Sequence, residues 1–268
     1  MKKKTKKQML DNKSGRLLFA ALIAVFVIAG SVAAINLILI ETRNNAAQSE
    51  YDELRQFAPA INQSPASDSS AGPGNNEPTN PTADDPESEQ LPETAPDLSA
   101  INPDYIGWIR INGTNIDYPV VQGTNNTKYL NTTFMGERNP SGTIFMDHEC
   151  TEGFTGLAIL HGHNMRNGSM FAGLHQFRDR DFRSEHNVIT IFKPDGEILT
   201  FTIFDVIVTD INDPVFSLPV EGQQAFTEYF NKYDLVGHFV RDRAGILILS
   251  TCTEGHKNER LIILAARQ

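Results

Sequence analysis

Cysteine is nearly absent: Cys150 and Cys252 are the only two in 268 residues. Two are too few for a disulfide framework, and a single bridge between them would consume both thiols. Positive charge is missing from a long stretch, with no Lys or Arg from Gln56 to Ile109. The whole chain carries −10, although its first sixteen residues are basic, so everything beyond them is acidic. A body of that sign lacks the basic footprint that nucleic acid requires, which excludes nucleic acid as the partner.

The cations that do occur cluster at the N-terminus, where Lys2, Lys3, Lys4, Lys6, Lys7, Lys13 and Arg16 face one acid, Asp11. Leu17 to Ile40 follows with no charged residue in 24 positions. A helix of that length, at about 1.5 Å per residue, spans the ~30 Å hydrocarbon core of a bilayer. Basic residues before the run, and only Arg43 close behind it, put the N-terminus in the cytoplasm and the body outside. Ser31-Val32-Ala33 would serve as a signal-peptide cleavage site, but the apolar run continues past it, which favours a retained anchor. The expected layout is a basic tail over 1–16, a membrane span over 17–40, a linker over 41–97 and a folded domain over 98–268.

The linker assignment rests on Asn62 to Pro96, which is dense in Pro, Ser, Asn, Asp and Glu. Such composition cannot bury enough apolar surface to offset chain entropy, so an extended, disordered tether is expected. Just before it, Tyr51, Leu54 and Phe57 fall on one face of a short helix. Leu91-Pro92-Glu93-Thr94-Ala95 has the form of a cell-wall sorting pentapeptide, but no hydrophobic tail follows it, and it is read as chance.

Beyond Leu98 the pattern is mainly β. Strands are expected at Tyr105–Ile111, Ile116–Val121, Thr143–Asp147, Gly156–Leu160, Asn187–Phe192 and Glu197–Val208. The last two flank Lys193-Pro194-Asp195-Gly196, a hairpin turn signal. Two more apolar runs, Ile246–Leu249 and Leu261–Leu264, bring the count to about eight, enough to close a small barrel or sandwich. Helical spacing of Met170, Phe171, Leu174 and Phe177, and of Phe226, Tyr229, Phe230 and Tyr233 within Glu221–Tyr233, gives two helices with core-facing aromatics.

Candidate chemistry gathers at the strand ends. Cys252 closes a buried strand beside a polar loop, and Arg260 opens the next strand, so a hairpin returns the guanidinium towards the sulfur. A fixed cation favours a thiolate and offers donors to a developing oxyanion. The alternative for Cys252 is a buried structural cysteine. In Leu160-His161-Gly162-His163 the two imidazoles share a face if extension continues through the glycine. One imidazole near Cys252 would complete a Cys–His pair for acyl transfer. A metal reading is also open on spacing, since His148, Cys150, His161, His163, Cys252 and His256 fall in three loosely zinc-like pairs.

Five segments in order resemble the class B sortases, membrane-anchored cysteine transpeptidases of Gram-positive bacteria. They are NPDYIGWIRINGTNIDYPVVQG, NNTKYLNTTF, SGTIFMDHE, LHGHNMRNGSMF and STC followed by an Arg at the start of the last strand. The resemblance runs from Asn102 to Gln268. It implies an eight-stranded β-barrel with N-terminal helices and an extra helix before the penultimate strand. It also implies Cys252 as nucleophile, His163 as general acid/base and Arg260 as substrate and oxyanion clamp, with no cofactor and no metal. Asn126, Leu130 and Ser250 would line the peptide groove, and the Thr253 amide would be a second oxyanion donor. His161 stands where many class B members carry an aromatic residue facing the substrate. The implied partners are a surface protein bearing a C-terminal sorting pentapeptide, a peptidoglycan precursor or cross-bridge amine, and the cell membrane through residues 17–40. A pilin Lys amine as acceptor and a non-catalytic zinc-stabilised domain are the alternatives.

Overall fold

Runs of four or more apolar residues without alternation belong to strands covered on both faces, and the two C-terminal runs take that position. Ile246–Leu249 and Leu261–Leu264 are each 2% exposed or less. In the computed structural model, which describes residues 2–59, 97–232 and 245–268, they form the centre of a closed barrel. The strands are β1 (Tyr105–Ile111), β2 (Asp117–Val121), β3 (Ile144–Met146), β4 (Leu157–His161), β5 (Val188–Phe192), β6 (Ile198–Asp210), β7 (Ile246–Cys252) and β8 (Glu259–Arg267). Their order around the barrel is β1-β2-β3-β4-β7-β8-β6-β5. Closure leaves no free edge. The expected fold class is the observed one, with strand ends shifted by a few residues.

Most neighbours are antiparallel, but β2–β3 and β4–β7 are parallel. Lys193-Pro194-Asp195-Gly196 turns β5 into β6, with Gly196 at φ +86° and Lys193 bonded across to Glu197. On the barrel wall, Trp108 is fully buried and its indole N–H donates to Asp117 Oδ1 at 2.6 Å, an oxygen that Arg110 Nε also reaches at 2.9 Å. A buried indole needs such an acceptor.

The Phe171–Arg178 segment is a 3₁₀ rather than an α-helix, with Phe171, Leu174 and Phe177 buried as expected. A helix between β6 and β7 runs Leu218–Lys232, kinked at Gly222 (φ +81°), and buries Phe226, Tyr229 and Phe230. Tyr233 lies outside the described residues.

The N-terminal helix α1 corrects one expectation. It runs unbroken over Lys2–Arg55, so the first part of the presumed linker is helical. The exposed apolar residues from Phe19 to Ile40 make it long and apolar enough to cross a membrane. Beyond them Ala47, Tyr51 and Leu54, at i, i+4 and i+7, are buried against the barrel. Tyr51 meets Tyr118 edge-on at 5.3 Å, and its hydroxyl donates to the Gly142 carbonyl just before β3. Arg55 donates to Asp117 O and lies over the Tyr118 ring. Phe57 packs partly buried beyond the helix. Pro59 is held by Arg110, and Asp97 caps the next helix, α2 (Leu98–Ile101), against β1. The intervening linker and its Leu91–Ala95 pentapeptide lie outside the described residues.

Tyr51→Phe keeps the packing and removes the hydroxyl from a buried carbonyl, so a loss of about 1–2 kcal/mol in unfolding free energy is expected. Chemical denaturation of the two proteins side by side checks it; an equal midpoint would mean that the helix docks through its apolar face alone.

Candidate active site

Strand register brings together side chains that lie a hundred residues apart. The parallel pairing of β4 with β7 sets His161 level with Ser250, and the Gly162 amide donates to Ser250 O at 3.2 Å. The ladder ends there, two residues short of both His163 and Cys252. On the other flank of β7, the antiparallel pairing with β8 puts Cys252 opposite Arg260. All three line one groove of about 340 Å³, together with Asn126, Leu130, His161 and Ser250. Thr143 and Phe145 from the β3 side complete its wall.

The path between the two histidines admits only glycine. A Cβ on Gly162 would sit 2.5 Å from Ile144 Cδ1 and 2.6 Å from the Phe171 ring. Cys252 is half-buried at its strand end. Its carbonyl lies 3.1 Å from both Asn164 Nδ2 and His175 Nε2, which fixes the backbone that carries the sulfur. His163 Nε2 is 2.7 Å from Leu130 O. A carbonyl can only accept, so Nε2 carries the proton and a neutral His163 keeps its lone pair on Nδ1. Arg260 Nη1 donates to the carbonyls of Lys257 and Glu259, which leaves the rest of the fork to the groove. Among the described residues Arg260 has no carboxylate partner.

Thr253 departs from expectation. Its amide donates to Glu259 O at 3.4 Å as part of the β7–β8 turn, and it is not in the groove lining. That hydrogen bond takes the donor that an oxyanion would need. Thr251 also lines the groove, and its hydroxyl is buried with no hydrogen-bond partner among the described residues.

Cys150 is buried, its sulfur accepting the Ile159 amide at 3.3 Å, and no disulfide joins it to Cys252. The six residues of the zinc alternative do not converge. Among the described residues no three His, Cys, Asp or Glu side chains are grouped to hold a metal.

A sortase-domain family model matches residues 109–268. The chain belongs to the sortase family. Sortase B of Listeria monocytogenes is 29% identical over 177 residues, covering 62% of this chain and 71% of the relative. The crystal structure of Clostridium perfringens sortase B is 34% identical with a TM-score of 0.56, covering 64% of this chain and 97% of that one. A class B sortase of Streptococcus pyogenes involved in pilus biogenesis is 29% identical with a TM-score of 0.58, covering 64% of this chain and 96% of that one. Likeness to class B thus covers the barrel and its site, and transpeptidation is the general activity of sortases.

Three residues of this sortase site escaped the sequence reading. Asn164 and His175 act on Cys252 through its carbonyl, a contact that no local pattern announces. Asp147 sits third from the end of the SGTIFMDHE segment and looks like an ordinary turn acid. In the fold its side chain is 6% exposed, with Oδ2 at 3.0 Å from His161 Nε2 and 2.7 Å from Asn126 Nδ2. Burial raises the Asp147 carboxyl, but donors from His161, the Glu149 amide and Asn126 outweigh it and hold the group below the usual carboxylate range.

Asp147 therefore contributes stability that is fully present above its unfolded value of about 4 and lost as pH falls through the lower folded value. Asp147→Asn is expected to flatten the acid limb of the melting temperature against pH below about 4. Thermal melts across that range check it, and parallel acid limbs in the two proteins would count against the linkage.

Proposed function

We propose that this sortase is a cell-surface cysteine transpeptidase that cuts a C-terminal sorting signal after its Thr and joins the protein to an amine of peptidoglycan. The observation that carries the reading is that Cys252, His163 and Arg260, from three neighbouring strand ends, line one groove. Cys252 Sγ attacks the Thr carbonyl; the C–N bond breaks and a thioester forms. His163 gives a proton to the departing amine and later takes one from the incoming amine. Arg260 aligns the peptide and faces the oxyanion, a task suited to a planar, permanently charged fork. Asn126, Leu130, His161 and Ser250 line the peptide's path. No cofactor or metal enters the steps.

The basic tail, the apolar run 17–40 and the acidic domain support a single-pass protein with its N-terminus cytoplasmic and its catalytic domain outside. Substrate and a lipid-linked acceptor would then share the outer leaflet with the enzyme. Because α1 is continuous, the docked face at Tyr51 stands about 16 Å along the helix from Ile40. The groove is thus held near the bilayer by a helix rather than by the flexible tether that composition suggested. A pilin Lys amine is the second reading of the acceptor, supported by the likeness to the S. pyogenes enzyme involved in pilus biogenesis.

Incubation with a small library of sorting pentapeptides, followed by intact-mass measurement, is expected to show a thioester adduct on the parent protein and none on Cys252→Ala. Arg260→Gln should slow its formation by on the order of 10²–10³. Adduct formation by Cys252→Ala, or none by the parent with any peptide, would refute the reading.

A further inference from the structure

Two cavities meet at Arg260. The groove holding Cys252 shares Asn126, His161, Ser250 and Arg260 with a second space of about 240 Å³. This second space extends past Ile211 and Phe216 and has Asp147 in its wall. The acylation step leaves it unused.

His161 stands in the partition, and its surroundings are unlike those of His163. Its ring lies between Phe145 and Phe216, with centroids at 5.2 and 6.3 Å, and its Nε2 is on the Asp147 carboxylate. The carboxylate is itself pinned by Asn126 Nδ2 and the Glu149 amide, with His148 Nδ1 at 3.5 Å. Burying a charge in this way is costly, and stacking between two Phe rings does not require it. A carboxylate behind an imidazole fixes its tautomer and stabilises the imidazolium. Among the described residues the His163 ring is bonded only to a peptide carbonyl, that of Leu130. Of the two imidazoles on the groove, His161 is the one with a carboxylate against its ring nitrogen.

Transpeptidation needs such a group once, after the thioester has formed. A primary amine is an ammonium ion at neutral pH and cannot attack until it has lost a proton. The second cavity suits that reactant. Ile211 and Phe216 offer an apolar side for an aliphatic stem, and Arg260 disfavours a second cation while Asp147 offsets the imidazolium.

We propose, on the basis of the transpeptidase reading above, that this cavity admits the acceptor as a primary amine on an aliphatic stem, and that the Asp147–His161 pair takes its proton. The ammonium N–H passes to His161 Nδ1. The freed lone pair forms the N–C bond at the thioester carbonyl, and the C–S bond breaks with its electron pair leaving on Cys252. The second proton of that nitrogen returns to sulfur through His163. The proton on His161 goes to solvent, so ammonium and thioester give amide, thiol and one proton.

The test uses the full chain in detergent with a sorting peptide already shown to form the thioester and Nα-acetyl-lysine amide as acceptor. The ratio of amide to free-acid product at fixed amine is read, because it is independent of the acylation rate. His161→Phe keeps the ring stack, and Asp147→Asn keeps the side-chain volume while removing the charge and one of the two accepting oxygens; folding of both is checked by thermal melting. In both the ratio is expected to fall on the order of 10²-fold, the scale of general base catalysis. An unchanged ratio in folded variants would overturn the proposal while leaving the transpeptidase reading intact. No thioester on the parent protein with any peptide would overturn both. A preference for an oligoglycine amine over the lysine amine in the parent would overturn the aliphatic subsite.

Discussion

The in-register parallel pairing of β4 with β7 is the constraint on which the site depends. The sulfur of residue 252 and the imidazole of residue 163 line one groove because the ladder sets His161 level with Ser250, two residues before each of them. Because side chains alternate, a slip of one residue in that ladder would turn the imidazole to the other side of the sheet. Apolar burial anchors the two strands in the barrel, since Leu157 to Leu160 and Ile246 to Leu249 are all nearly inaccessible. The antiparallel β7–β8 ladder then brings Arg260 to the sulfur from the opposite flank with no further requirement.

That dependence explains which parts of the site were legible in the sequence. Cys252 and Arg260 are joined by one hairpin, so local pattern sufficed to place them together. His163 was reachable through its strand and its glycine, although choosing it over His161 needed the resemblance. Asp147, Asn164 and His175 were not legible, because each acts through a contact set by the third dimension. Asp147 meets His161 through the β3–β4 pairing, whereas Asn164 and His175 reach a main-chain carbonyl that carries no sequence signature. Thr253 failed for a similar reason, since its N–H closes the turn that makes the hairpin possible.

The fold was legible for a simpler cause. Period-two strands, a Pro-Asp-Gly turn and unbroken apolar runs each agree with the local backbone, and eight strands leave few ways to remove their edges. Boundaries moved where caps and turns compete, as at Gly222, where a positive φ kinks the helix that aromatic spacing had marked. The linker boundary failed because composition is read in windows. Residues 41–55 are polar on average, yet Ala47, Tyr51 and Leu54 give them one buried face, and a single face is enough to dock a helix.

Docking of that helix bears on the chemistry beyond its packing. Tyr51 bonds to the Gly142 carbonyl and lies 3.3 Å from Thr143 Oγ1, and Thr143 is in the wall of the groove. Asn139 of the same loop donates to Arg43 O, only three residues past the apolar run. The segment from Asn139 to Thr143 is therefore held from one side by the helix that leaves the apolar run and contributes on the other to the surface beside Cys252. Two long demands on the sequence, an apolar run that suits a bilayer and a groove that suits a peptide, converge on five residues of loop. Those five exchange hydrogen bonds with α1 and supply none of the proposed reacting groups, so the apolar run and the groove strands remain separable in sequence while sharing one support.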